Sequence, residues 1–172
     1  LNNINEKFKD KIHLGFFFSE LDKDSFKKRF ERPIGIPDLY NISSLILLPS
    51  ETEGRGLPII EAAAAGVPIF CSRYYPEEVY SRVIGEHLPE EDRLKVVEFD
   101  GVHINKGHLK DITRRVFFPH KFTKEIEHNK RAVKKRYSLE SLGKNMDKIL
   151  NRLFQQMHPN DIYLKNIGYL LK

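Results

Sequence analysis

Apolar segments alternate along the chain with amphipathic ones, at spacings typical of strands and helices. The continuous apolar run from Ile42 to Pro49 ends at a proline, as a buried parallel strand does. Three further runs predict strands at 11–18, 67–72 and 94–99. Apolar positions three to four residues apart predict intervening helices: 22–32, a short turn at 38–41, 57–65 closed by Gly66, 76–87, 105–118, 122–136 and a last helix capped by Ser138. The alternation predicts an α/β fold, a parallel sheet flanked by helices.

Length and composition restrict the class of protein. A chain of 172 residues is long enough for one domain with a hydrophobic core. The single cysteine, Cys71, excludes an internal disulfide and a multi-cysteine zinc site, and the seven histidines lack metal-ligand spacing. We therefore predict no metal and no resident cofactor. No apolar run is long enough to span a bilayer and no secretory signal is visible, so we expect a cytoplasmic protein.

The net charge of the chain is +5, and part of the positive charge is concentrated in one segment. One late helix carries a basic cluster, consisting of Lys130, Arg131, Lys134, Lys135 and Arg136. Such a run is most often a solvated helix face. The alternative is peripheral contact with an anionic membrane surface. We predict no nucleic-acid partner.

The loop after the Ile42–Pro49 run combines features of a phosphate site. Gly54 and Gly56 precede a helix whose first amides and dipole favour an anion such as a diphosphate. Glu61, one turn into that helix, can accept hydrogen bonds from two ribose hydroxyls. Glu53 lies in the loop, where it can meet a sugar or a developing positive charge. Taken alone, these features also occur at helix starts that bind nothing.

An ordered string of motifs surrounds this loop. Residues 39–72 read LYNISSLILLPSETEGRGLPIIEAAAAGVPIFCS, with a Glu-Gly-x-Gly-Leu-Pro loop, a Glu-Ala helix and a Gly-x-Pro step into the next strand. The string resembles the family-four retaining glycosyltransferases (glycosyl transferases group 1), whose relatives include sucrose-phosphate and glycogen synthases. Their two-glutamate signature, with seven residues between the glutamates, matches Glu53 and Glu61. A fainter resemblance covers about residues 10–155.

The resemblance implies a role for each matched residue. Residues 1–156 would be part of the C-terminal, Rossmann-like donor domain of a GT-B enzyme, followed by a tail at 157–172. Glu53 would be the catalytic-site residue facing the donor sugar, and Glu61 would bind the ribose. The diphosphate and base of a UDP-, GDP- or ADP-sugar would be held by the remaining site residues, Gly54, Arg55, Gly56, Leu57, Gly15 and Phe16.

The sequence also departs from the family pattern. Arg55 replaces the usual aromatic residue between the glycines, and Tyr74-Tyr75 replaces a Gly-Gly turn. We see no segment corresponding to the family's opening glycine-rich turn, so we expect a fragment that needs an N-terminal acceptor domain and is inactive alone. Two alternatives stay open: a nucleotide-sugar epimerase of the same architecture, and a catalytically inactive sugar-nucleotide-binding or scaffold domain.

Overall fold

The structure is a computed structural model that describes residues 35–100 and 103–156. The chain divides into two compact units, 1–43 and 44–172. The predicted elements at 11–18 and 22–32, with Gly15 and Phe16, lie outside the described residues, as does the tail. The predicted domain boundary after residue 156 therefore remains a prediction.

The described part of the first unit contains one helix, α1 (Ile36–Ile42). Pro37 lies in its first turn, where a missing N–H costs nothing, and the Asp38 carboxylate accepts a hydrogen bond from the Gly35 N–H at 2.9 Å. The prediction of a short turn at 38–41 and a strand from Ile42 was wrong in its boundaries. Ile42 ends the helix, since apolar character alone does not separate a helix end from a strand start.

The second unit is built on a three-stranded parallel sheet. Its strands are β1 (Ile46–Leu48), β2 (Ile69–Ser72) and β3 (Val97–Phe99), in the order β1-β2-β3. This confirms the predicted α/β class. β2 is buried along its whole length because it lies between the other two strands. β1 was expected to be buried, but Leu47 is 44% exposed because β1 is an outer strand of the described sheet.

Helices connect and cover the strands. They are α2 (Leu57–Ala65), α3 (Glu77–Ile84), α4 (Lys106–Phe117), α5 (Thr123–Tyr137) and α6 (Leu139–Gln156), with 3-10 turns at Glu90–Asp92 and Pro119–Phe122. The predicted helix ends are confirmed at two positions. Gly66 closes α2 in the left-handed conformation (φ 78°), and the Ser138 hydroxyl accepts the Ser141 N–H at 3.1 Å.

Part of the core lies where α2 packs against β2 and α5. α2 contributes Ile59, Ala62 and Ala63, all fully buried, and packs against both β2 and α5. Asn129 of α5 is also buried, and its side-chain amide is satisfied by the backbone of Lys95. The Asn129 oxygen accepts the Lys95 N–H at 2.7 Å, and its nitrogen donates to the Lys95 carbonyl at 2.8 Å. This two-bond clamp fixes the segment that leads into β3.

α6 forms as the amphipathic pattern predicts, but its apolar face is not covered by the described residues. The exposed apolar side chains of this face are Leu139, Leu142, Met146, Ile149, Leu150, Leu153 and Phe154. The polar face of the helix lies toward α5 and shares with it a groove of about 540 Å³. Among the described residues, no helix is both long and apolar enough to cross a membrane.

Candidate functional site

The loop between β1 and α2 is fastened to the end of β2 by backbone bonds. The Tyr75 N–H donates to the Glu51 carbonyl at 2.8 Å, and the Glu53 N–H donates to the Tyr75 carbonyl at 3.0 Å. The buried Ser72 hydroxyl donates to the Ser50 carbonyl at 2.5 Å. These bonds extend the parallel pairing of β1 and β2 past the strand ends. The loop therefore lies at the carboxyl edge of the sheet, where α/β folds bind ligands.

The start of α2 is shaped to present backbone amides. Gly56 is the residue before the helix and is buried in the left-handed region (φ 61°, ψ 30°), which glycine adopts without strain. No described side chain caps this helix, Pro58 has no N–H, and the Ile59 N–H donates to the Gly56 carbonyl at 3.1 Å. The amides from Gly54 to Leu57 remain as candidate donors to an anion at the positive end of the helix dipole.

The two glutamates occupy different environments. Glu53 is half-buried in the loop, and its carboxylate accepts the Ser50 hydroxyl at 2.9 Å. Glu61 is exposed and shares the outer face of α2 with Leu57, one turn earlier. Because helical side chains tilt toward the N-terminus of their helix, Glu61 projects toward the start of α2 rather than into the sheet. Within the described residues, neither Glu61 nor Arg55 has an ion pair or hydrogen bond from its side chain, and Arg55 is exposed.

Tyr74 packs its side chain against the loop at Gly56. Its side chain is 1% exposed, and its hydroxyl lies so close to Gly56 that a side chain there would overlap it. The ring also makes an edge-to-face contact with Tyr80 of α3, with centroids 5.1 Å apart. Burial raises the pKa of Tyr74 to about 12, with a smaller contribution from the Glu53 carboxylate, so the hydroxyl stays protonated. The hydroxyl has no hydrogen-bond partner among the described residues.

Reasoning from the sequence placed the loop, the glycines and both glutamates, but it did not find the contact between Tyr74 and Gly56. The available signal was the Tyr74-Tyr75 pair at a position where the resembling family has glycines. In the structure Tyr74 packs on α3 and also supports the loop, while exposed Tyr75 holds the loop through its backbone.

The comparison with known families gives this geometry a context. Residues 22–91 match the family described as glycosyl transferases group 1. This match supports a glycosyltransferase domain of the GT-B type in this segment. The match includes the whole loop, α2, β2 and α3, and so all of the described candidate site. The predicted recognition and the Rossmann-like fold are thereby confirmed.

A curated relative supports the same family. The chain is 31% identical over 111 residues to the mannosylglucosylglycerate synthase of Thermotoga maritima. The alignment covers 60% of this chain and 25% of the relative, so the chain spans about a quarter of the relative's length. The group 1 assignment therefore concerns a segment, and the activity of the whole protein is a separate question.

The basic cluster outside the group 1 segment is mostly used within the fold. The Arg136 guanidinium donates to the Arg82 and Val83 carbonyls at 2.6 and 3.0 Å, which caps the end of α3. Lys135 pairs with Asp92 at 2.6 Å. Fewer basic side chains of the cluster are therefore available to an external partner than the sequence alone indicates. Contact with a membrane remains a prediction. Among the described residues, no group of three acidic, histidine or cysteine side chains could hold a metal ion.

Proposed function

We propose that this chain supplies the donor-binding part of a glycosyltransferase, which moves a glycosyl group from a nucleotide-diphosphate sugar to an acceptor with retention of configuration. One observation carries the proposal. A loop fixed at the carboxyl edge of a parallel sheet presents the uncapped start of α2, with Glu61 one turn later on the exposed face. The match of residues 22–91 to the group 1 family supports the reaction class.

In the proposed complex the protein acts mainly through electrostatics. The amides of Gly54 to Leu57 and the dipole of α2 would stabilise the negative charge that develops on the leaving diphosphate. Glu61 would accept hydrogen bonds from the ribose hydroxyls. Glu53, held by the Ser50 hydroxyl, would face the sugar beside the reacting carbon. Gly15 and Phe16 are proposed near the base.

The printed name of the relative suggests a substrate class. Mannosylglucosylglycerate contains hexose units joined to a small acid, so we propose a hexosyl donor for this chain. Exposed Arg55 would then lie beside the diphosphate or an acidic substrate, where a guanidinium pairs well with either. The acceptor would be bound by an N-terminal domain, the partner that a two-domain transferase requires.

The test of the proposal is nucleotide binding. We expect isothermal titration calorimetry to detect binding of at least one of UDP, GDP and ADP. Replacing Glu61 with alanine should weaken that binding about tenfold or more, because hydrogen bonds to a charged group contribute about 1.5–3 kcal/mol. Glu78→Ala is the matched control, since Glu78 is an exposed glutamate in the first turn of α3. Equal affinities of Glu61→Ala and the parent would refute the ribose role.

The departures from the family pattern favour one alternative. Arg55 and Tyr74 stand where the family usually has an aromatic residue and a glycine, so a domain that binds the nucleotide sugar without transferring it is the second candidate. Both candidates predict donor binding. They separate when the chain is tested together with an acceptor domain, because only a transferase then releases free nucleoside diphosphate at a rate that depends on the acceptor.

A further inference from the structure

The Tyr74 hydroxyl is a buried polar group that makes no hydrogen bond with any described residue. Its side chain is 1% exposed, and no described residue accepts its hydrogen. Leaving such a group unpaired destabilises a protein, so native structures nearly always pair it. Phenylalanine would fill the same space without this cost. The hydroxyl therefore calls for an explanation beyond packing.

The position of the hydroxyl suggests the explanation. It lies directly against Gly56, the residue before α2, and so beside the amides proposed to hold a diphosphate. Burial keeps it protonated, and a protonated phenol donates a strong hydrogen bond to an anionic oxygen. The neighbouring Glu53 carboxylate is already paired with Ser50.

We infer that the Tyr74 hydroxyl is a donor-binding group of this site, which donates a hydrogen bond to a phosphate oxygen of the nucleotide-diphosphate sugar. The inference rests on the proposed function and adds a binding residue where the family usually has glycine. Direct contact requires the glycine turn to shift slightly off the hydroxyl.

The test compares Tyr74→Phe with Tyr80→Phe in the full chain. Tyr80 is the matched control, since it is also fully buried and makes an edge-to-face contact with the Tyr74 ring, but its hydroxyl contacts the Cys71 sulfur at 3.9 Å instead of the loop. Calorimetry with UDP, GDP and ADP, and with the corresponding nucleosides, measures the contribution of the phosphates. Thermal unfolding without ligand measures the structural contribution.

We expect Tyr74→Phe to weaken diphosphate binding about tenfold while nucleoside binding and the unliganded melting temperature do not fall. Tyr80→Phe should bind the diphosphate like the parent chain. Unchanged diphosphate affinity in Tyr74→Phe would overturn the inference, as would an equal loss for the nucleoside. If the parent chain itself binds none of the three diphosphates, the proposed function fails, and that result is visible before any variant is made.

Discussion

Substitution of Gly56 by alanine should destabilise the protein strongly, for two separable reasons. The residue has φ 61°, and an L-residue in the left-handed region costs roughly 1–2 kcal/mol. A β-carbon there would also overlap the Tyr74 hydroxyl and lie 3.0 Å from a Val83 methyl carbon. Overpacking of this kind costs about 1–3 kcal/mol. Together they predict a loss of roughly 2–5 kcal/mol in the free energy of unfolding.

The measurement is thermal and urea unfolding of four variants beside the parent chain: Gly56→Ala, Gly54→Ala, Tyr74→Phe and the double variant Gly56→Ala with Tyr74→Phe. For a chain of 172 residues, 1 kcal/mol corresponds to about 2–4 °C in melting temperature. Gly56→Ala should therefore melt roughly 4–20 °C lower than the parent. Gly54→Ala is the control, because Gly54 is exposed, has no positive φ and has free space around its β-position. It should leave the melting temperature nearly unchanged.

The double variant Gly56→Ala with Tyr74→Phe separates the two causes. Removing the hydroxyl leaves the Tyr74 ring carbon Cζ 3.2 Å from the new β-carbon, a contact that small shifts can relieve. The double variant should recover most of the overpacking loss of about 1–3 kcal/mol and retain the backbone strain. Equal stability of Gly56→Ala and Gly54→Ala would refute the conformational argument. Strict additivity of Gly56→Ala and Tyr74→Phe would refute the contact.

Two further predictions concern the core. Burial raises the pKa of Cys71 to about 12 from 9.0, so the folded state retains a proton that the unfolded chain loses near pH 9. The contribution of Cys71 to the free energy of unfolding is complete below pH 9 and is lost as the pH rises toward 12. The loss of stability at alkaline pH should therefore be smaller in Cys71→Ala. In the parent chain, Ellman's reagent should not react with Cys71 at pH 8 until denaturant unfolds the chain. Asn129→Ala removes both bonds to Lys95 and leaves its backbone groups unpaired, so urea unfolding should show a loss of about 2–4 kcal/mol, whereas the exposed Asn145→Ala should be nearly neutral.

Local signals in the sequence were enough to place most helix ends. Gly66 ends α2 through its own backbone conformation, and Ser138 caps the start of α6 with its own side chain. No distant contact is needed to predict either position. The start of β1, by contrast, was misplaced, since β1 begins at Ile46 and not at Ile42. Ser43 follows the last residue of α1, and its hydroxyl donates to the Leu39 carbonyl at 2.6 Å, but the apolar run around it obscured this local signal.

The candidate site was predictable only where its residues are neighbours in sequence. The glycine loop and Glu61 belong to one strand-loop-helix segment, and the motif indicated them together. Tyr74 reaches the loop because Leu48 lies opposite Cys71 in the parallel sheet, which aligns the carboxyl ends of β1 and β2. That register is set by pairing over the whole sheet, and no single-segment pattern contains it.

The replacement of the family's glycines by Tyr74-Tyr75 and the position of Gly56 are two parts of one structural feature. Glycine at residue 74 would leave the space below Gly56 without a side chain. Here a tyrosine ring fills it and continues into the edge-to-face contact with Tyr80. The loop is thus packed on α3 as well as on β2, and its conformation depends on a side chain rather than on backbone alone. Replacing Tyr80 of α3 with alanine would remove the ring that packs against Tyr74. Because Tyr74 in turn packs against Gly56, the substitution should also change the conformation of the loop that presents the amides at the start of α2.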